Sequence, residues 1–330
     1  MARLGINPAR GKFSEYRPAR ITIAMLTYIP HLEGYFRYRL EVLKLALGSL
    51  RRHTTIPYDL FVFDNGSCSD VVDFLRQLRD NGDIQYLLLS DKNIGKIGAL
   101  KIMFNALPGE LVAYSDDDIL FYPGWLEAHL EILEKFPQAG MVSGVPVRNA
   151  SKHALLTLQR FEQEASHVLT VVHERRIPDE WERDWALSTG RDPVHHLEET
   201  KDELDTVIKI EDVEAIAGAN HFQFVSPKDV IIQALPNEWS GRLMGLMVEL
   251  DEAVDALGYL RLSTEQRYTR HIGNAISEEL ANDVKALGLD GVSSTRPPVH
   301  QHKHWLLAIP GMRRILKTIY NRLFNILHHI

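Results

Sequence analysis

The chain has 330 residues, 45% of them hydrophobic and 25% charged, enough for one well-buried α/β core with an appendage and too apolar for a disordered chain. A net charge of −7 lacks the basic footprint of a nucleic-acid binder. A single cysteine, Cys68, rules out an intramolecular disulfide and fits a reducing compartment, so a cytoplasmic location is expected, at the inner face of a membrane if the tail described below binds lipid.

Residues 1–20 form a polar, basic leader without the apolar core of a signal peptide. Ile21 to Leu26 is a short apolar run that reads as a buried strand. From Arg39 to Arg52, Leu40, Leu43, Leu47 and Leu50 share one helical face. Leu60 to Phe63 is strand-like and stops at the turn signal Asp64-Asn65-Gly66-Ser67. A helix over Val71 to Asn81, a strand over Ile84 to Leu89, a helix over Lys96 to Leu107 and a strand over Leu111 to Tyr114 follow. Regular alternation with short connections predicts βαβ units and a largely parallel sheet.

The second half is less regular. Arg160 to Glu214 is charge-rich and reads as a helical insertion broken at Ile177-Pro178 and at Gly190 to Pro193. Ala217 to Val225 reads as β, and Met244 to Leu257 as an amphipathic helix ending at Gly258. A loop zone spans Gly288 to Pro298, and a helical tail runs from Trp305 to Ile330. No run of about 18 apolar residues marks a transmembrane helix. The tail carries Arg313, Arg314, Lys317 and Arg322 and no acid beside Trp305, Leu316, Leu323 and Phe324, which fits either a helix lying in a membrane interface or one packed on the domain.

In an open parallel sheet, ligands bind beyond the carboxyl ends of the strands. Three polar clusters fall there: Thr27-Tyr28, Asp64 to Ser67, and Ser115-Asp116-Asp117-Asp118. Three adjacent carboxylates repel one another and call for a compensating cation, and hard ions such as Mg²⁺ and Mn²⁺ take oxygen ligands alongside substrate phosphates. The triplet is flanked by apolar residues on both sides, Leu111-Val112-Ala113 before it and Ile119-Leu120-Phe121 after it, which a merely solvated acidic turn does not need.

These segments resemble a known family. Phe63 to Ser67 (FDNGS), Asn93 to Leu100 (NIGKIGAL) and Tyr114 to Leu126 (YSDDDILFYPGWL) are similar, in order and spacing, to family 2 glycosyltransferases with the GT-A fold. The resemblance is strong over 21–147, thins across 151–214, and returns at Ala215 to Pro227 and from Glu249 to Asn274. It implies a nucleotide-binding half at 21–147, an acceptor half at 148–287, and a loop and tail at 288–330. Ser115 stands where the family's first metal-binding aspartate often sits, while Asp116 and Asp118 keep the aspartate-any-aspartate spacing.

The resemblance further implies that Asp64 accepts a hydrogen bond from the base, uracil in the first instance, and that Thr27 and Tyr28 line the base pocket. Asn93, Gly95 and Lys96 open a helix beneath the donor, whose N-terminus favours phosphate, with Lys96 adding charge. Asp116 and Asp117 contact the donor. Asp116 and Asp118 hold a divalent metal, Mn²⁺ or Mg²⁺, with His271 completing its shell. His300, His302 and His304 are rivals for that last role. The implied reaction is inverting transfer of a sugar from a nucleotide diphosphate donor to a glycan or lipid-linked acceptor. Its general base is assigned to Glu249, at the edge of an apolar helical stripe, with Asp251 as runner-up; Trp239 is a candidate acceptor platform. A sugar-nucleotide nucleotidyltransferase is the rival enzyme, although Thr27 to Glu33 lacks its glycine- and basic-rich loop. A sugar-nucleotide-binding module that has lost the chemistry is the rival without catalysis.

Overall fold

The computed structural model describes residues 5–164, 169–236, 243–244, 247–289 and 292–295, with 319 and 322. Residues 1–294 form one compact unit and 295–330 a second. In the second unit Ile319 and Arg322 are helical and exposed; the rest of the tail read above as interfacial, like Trp239 and the histidines at 300–304, lies outside the described residues. Among the described residues, no helix is long and apolar enough to cross a membrane.

The strands are β1 (Ile21–Thr27), β2 (Tyr58–Asp64), β3 (Tyr86–Leu89), β4 (Leu111–Asp116), β5 (Ile119–Phe121), β6 (Ala139–Ser143), β7 (Thr170–Glu174), β8 (Asp205–Ile210), β9 (Val213–Ala217), β10 (Gln223–Pro227), β11 (Leu260–Thr264) and β12 (Thr269–His271). The helices are α1 (Arg39–His53), α2 (Ser69–Asp80), α3 (Lys96–Ala106), α4 (Trp125–Lys135), α5 (Leu156–Glu164), α6 (Asp179–Ser188), α7 (Pro193–Glu199), α8 (Lys228–Ala234), α9 (Val248–Ala256) and α10 (Glu278–Ala286). Ten strands form one sheet in the order β3-β2-β1-β4-β10-β6-β11-β9-β8-β7 among the described residues. The block β3-β2-β1-β4 is parallel throughout, as the βαβ reading requires. From β10 onward the pairing is antiparallel except for β11 with β6.

Period-2 alternation sorts the sheet's side chains onto two cores. Ala24, Leu26, Phe61, Phe63, Val112 and Tyr114 face one side, against Leu100 and Phe104 of α3 and Leu250 and Val254 of α9. Ile23, Met25, Leu60, Val62 and Ala113 face the other, against Leu43 and Leu47 of α1, Val71 and Leu75 of α2, and Trp125 of α4. Each such fully buried side chain is worth about 1.5–3 kcal/mol over its exposed state. The sheet's central strands are therefore apolar on both faces, which is why they read as continuous runs rather than alternating ones.

Two expectations for the second half need correction. The stretch 160–214 is not a helical insertion: α6 and α7 sit between β7 and β8, and β7-β8-β9 extend the sheet antiparallel. Ile208, Ile210, Val213 and Ala215 carry the buried face of that extension, hidden in sequence among charged neighbours. Nor is Ala217 to Val225 one strand. Gly218, at φ +96°, turns the chain between β9 and β10, which then pair at separate places in the sheet.

Candidate active site at the strand ends

Register brings the carboxyl ends together: Thr27 pairs with Asp64 across β1 and β2, and Leu26 with Asp116 across β1 and β4. After Asp116 the chain turns through Asp117 and Asp118 into β5, which pairs antiparallel with β12 so that His271 lies opposite Ile119. The amide of Ile272 donates to the carbonyl of Asp118 at 2.8 Å. That small second sheet, invisible in the sequence, sets His271 Nε2 3.4 Å from Asp118 Oδ2, while Nδ1 meets Ser188 Oγ at 2.8 Å.

A cavity of about 320 Å³ opens here. Tyr28, Tyr35 and Phe36 form an aromatic wall, with Asn65, Asn93, Lys96 and Arg39 facing Asp116, Asp117 and Asp118. Volume and lining are those of a small-ligand site with a few convergent polar groups. The loop at Asp64 to Ser67 packs so tightly on the neighbouring one that a Cβ on Gly66 would lie 2.7 Å from the backbone of Lys92. Asn65 Oδ1 accepts from the amide of Ile94 at 3.0 Å, and its Nδ2 donates to Asn93 Oδ1 at 3.0 Å. Asn93 Oδ1 also accepts from the amide of Gly95, whose φ of +80° leads into α3.

The electrostatics revolve around two cations. Lys96 Nζ lies 2.7 Å from both oxygens of Asp116, which also accepts from the Tyr114 hydroxyl. Arg39 donates to Asp118 Oδ2 at 2.7 Å, to the carbonyl of Gly273 at 3.0 Å, and to Asp117 Oδ1. Thr27 Oγ1 donates to the other oxygen of Asp117. Burial alone would raise Asp118, but His271 and Arg39 hold it far below the ordinary carboxylate range. Asp117 moves the other way, raised by burial and only partly relieved by Arg39. Burial opposes the charge on His271, yet Asp118 raises its pKa.

The predicted residues divide accordingly. Tyr28, Asn93, Lys96, Asp116, Asp117 and Asp118 converge on the cavity, with His271 behind Asp118 and Gly95 shaping the loop. Thr27, expected to line a base pocket, is 1% exposed and engaged with Asp117. Asp64 is buried beneath Asn65, with Oδ2 accepting from the amide of Ser67 at 3.1 Å and Oδ1 lacking a partner. The first amide of α3 is not open for phosphate, because Lys96 N–H donates to the carbonyl of Leu243 at 2.8 Å.

Glu249, expected at the edge of an apolar stripe, is exposed on the first turn of α9 and outside the cavity lining. The buried face of α9 runs through Leu250, Asp251, Val254 and Asp255, so of the two candidate bases it is Asp251 that is turned inward. His153, His221 and Arg261 hold its pKa below the ordinary range against the effect of burial.

Tyr35, Phe36 and Arg39 were not singled out from sequence. Arg39 did carry a signal: a cation at the first position of a helix opposes the macrodipole and calls for a carboxylate partner. Among the described residues, the acidic side chains whose oxygens converge within 4.8 Å are Glu180, Asp184 and Glu279, not the triplet. Asp184 there already pairs with Arg267 at 2.7 Å and Arg270 at 3.1 Å.

Residues 35–185 match the family model of Glycosyl transferase family 2. No curated protein matches the sequence. Among solved structures, the mannosyltransferase PcManGT from Pyrobaculum calidifontis, in complex with GDP-Man and Mn²⁺, is 21% identical over 38% of this chain and 35% of its own, with a TM-score of 0.32. S. aureus TarS 1-349 is 11% identical over 85% of this chain and 68% of its own, with a TM-score of 0.44. The chain thus spans about a third of the length of the first and two thirds of the second. Arg39, Asp64, Lys96 and the acidic triplet all lie within the matched stretch, so the residues gathered at the strand ends are those that resemble glycosyl transferase family 2.

Proposed function

We propose that the cavity binds a nucleotide diphosphate sugar and that the chain transfers its sugar, with inversion, to a hydroxyl of a glycan or lipid-linked acceptor. The observation that carries this reading is the juxtaposition of an aromatic wall, two cations and three carboxylates at the carboxyl ends of parallel strands. The aromatic side suits a base and ribose, and Lys96 with Arg39 suits a diphosphate. Asp64 Oδ1, a buried acceptor lacking a partner among the described residues, suits the imide N–H of a uracil or thymine base, as in a UDP- or dTDP-linked donor.

A divalent metal fits part of this site. Asp118 Oδ1 is buried and unpartnered, and Asp118 Oδ2 stands beside His271 Nε2, an oxygen and imidazole pair suited to Mn²⁺ or Mg²⁺. Asp118 and His271 would hold the ion, with Asp116 joining once its oxygens leave Lys96. When bound, the metal would neutralise charge on the departing diphosphate. His271 must lose its proton to ligate, so metal uptake should release protons.

One observation favours a second reading. Arg39 and Lys96 already offset most of the triplet's charge, so the same cavity can carry donor binding without a metal. Release of nucleoside diphosphate from UDP-, GDP- and dTDP-sugars, measured with Mn²⁺ and with EDTA, separates the two. Release only with Mn²⁺ supports the metal-dependent reading, equal release in EDTA supports the second, and none from any donor contradicts both.

A further inference from the structure

Away from the cavity lining, one buried carboxylate is shared by two imidazoles. Asp251 Oδ2 lies 2.9 Å from His221 Nδ1 and 3.0 Å from His153 Nε2, while Arg261 stands 3.2 Å from Oδ1. Asp251 and Arg261 side chains are each 1% exposed, whereas those of His221 and His153 are 29% and 30% exposed. A carboxylate held ionised by an arginine only accepts hydrogen bonds. In the neutral ring of His221 the proton therefore sits on Nδ1, which leaves the lone pair on Nε2. This is the arrangement in which a carboxylate fixes the tautomer and supports the cation formed when an imidazole takes a proton.

The segment that carries His221 is pinned on every side. Gly218 N–H donates to the carbonyl of Arg261 at 2.7 Å, and Ser263 Oγ donates to the carbonyl of Gly218 at 2.6 Å. Arg261 donates to the carbonyl of Ala219 at 2.6 Å, and Asn220 Nδ2 to that of Val145 at 2.6 Å. On the far side of His221, the carbonyl of Phe222 accepts from the amide of Asp116 at 2.8 Å, and the Phe222 ring lies 5.4 Å from that of His271. His221 is thus one residue from the backbone that anchors the acidic triplet, yet outside the cavity lining. A group that serves the acceptor rather than the donor belongs in such a place. His153 lacks this link: it follows the turn at residues 148–151, and its carbonyl accepts from Arg261.

We propose that His221 is the general base of the transfer and that Asp251 is its positioning residue. The inference rests on the donor reading above. The acceptor oxygen attacks the anomeric carbon, its proton passes to His221 Nε2, and the bond from that carbon to the phosphate oxygen breaks, its electron pair leaving with the nucleoside diphosphate. Asp251 keeps Nδ1–H oriented and balances the imidazolium. The charged and titratable groups around His221 are Asp251 on α9, Arg261 on β11, His153 before α5, and Asp116 and His271 across Phe222.

The test uses the full chain with Mn²⁺ and whichever UDP-, GDP- or dTDP-sugar the parent cleaves, water serving as acceptor. In His221→Ala, kcat should fall by about 10²–10⁴ while calorimetric affinity for Mn²⁺ and the matching nucleoside diphosphate stays within about twofold. Added imidazole should restore turnover, which a merely structural role would not allow. In Asp251→Asn, the acid limb of the kcat profile should move to lower pH, because the imidazolium loses its counter-charge. Turnover of His221→Ala within about twofold of the parent overturns the assignment, as does loss of nucleotide affinity together with turnover. A parent that neither binds nor cleaves any donor overturns the donor reading instead, and the assignment with it.

Discussion

Two buried carboxylate centres of this fold resolve their charge in different ways. At the strand ends, Asp116, Asp117 and Asp118 are met by Lys96 and Arg39, an ammonium and a forked guanidinium that only donate. At α9, Asp251 is met by one arginine and two imidazoles, side chains whose ring nitrogens can both donate and accept. The first pairing stores charge against a cavity and suits an anionic ligand. The second couples a fixed negative charge to a movable proton and suits acid–base work.

The largest effect should come from breaking the first centre. Arg39→Ala leaves Asp117 and Asp118 buried without their arginine, and breaking a buried pair by removing one partner costs about 3–5 kcal/mol. Urea denaturation should register that loss, with Arg39→Lys recovering only part of it because one ammonium replaces a forked guanidinium. A loss under about 1 kcal/mol would mean that the triplet does not depend on Arg39.

Acid titration sharpens the comparison at the second centre. The pKa of Asp251 is depressed in the fold, so the unfolded chain binds its proton first as pH falls. The stability it contributes is complete above the ordinary aspartate value of about 4 and is lost as pH drops through the folded value. Asp251→Asn should therefore be less stable than the parent at pH 7 and lose less on acidification. An unchanged acid slope would show that His153, His221 and Arg261 do not hold the carboxylate ionised.

The smallest effect is expected at Glu249. Glu249→Gln removes an exposed helix charge, so stability should stay within about 0.5 kcal/mol and turnover near the parental rate. A tenfold fall in turnover would return the base to Glu249 and set the His221 assignment aside.

Both what was legible and what was not have physical reasons. Strands β1, β2 and β4 are buried on both faces, so each is an apolar run ending in a polar cluster, and those ends mark the site directly. The helix α3 was read to within one residue because its apolar period is bounded by Gly95 and Leu107. By contrast, β7 is a largely exposed edge strand of Thr170–Glu174, whose charged surroundings mask its pairing with β8. On α9, an apolar stripe drawn through Leu250, Val254 and Leu257 misses that Leu257 is exposed at 41%, so the buried face is centred closer to Asp251. His221 and Arg39 act through partners that are 30 and 78–79 residues away in sequence, and only the sheet brings them together.

Donor binding as proposed above requires the strand-end cavity to take up a metal–nucleotide pair through Asp118. Calorimetric titration of UDP into the parent and into Asp118→Asn, each with and without Mn²⁺, tests it most directly. Mn²⁺ should tighten UDP binding to the parent, and Asp118→Asn, still folded, should lose most of that gain. Equal Mn²⁺-dependent binding by the two proteins would contradict it.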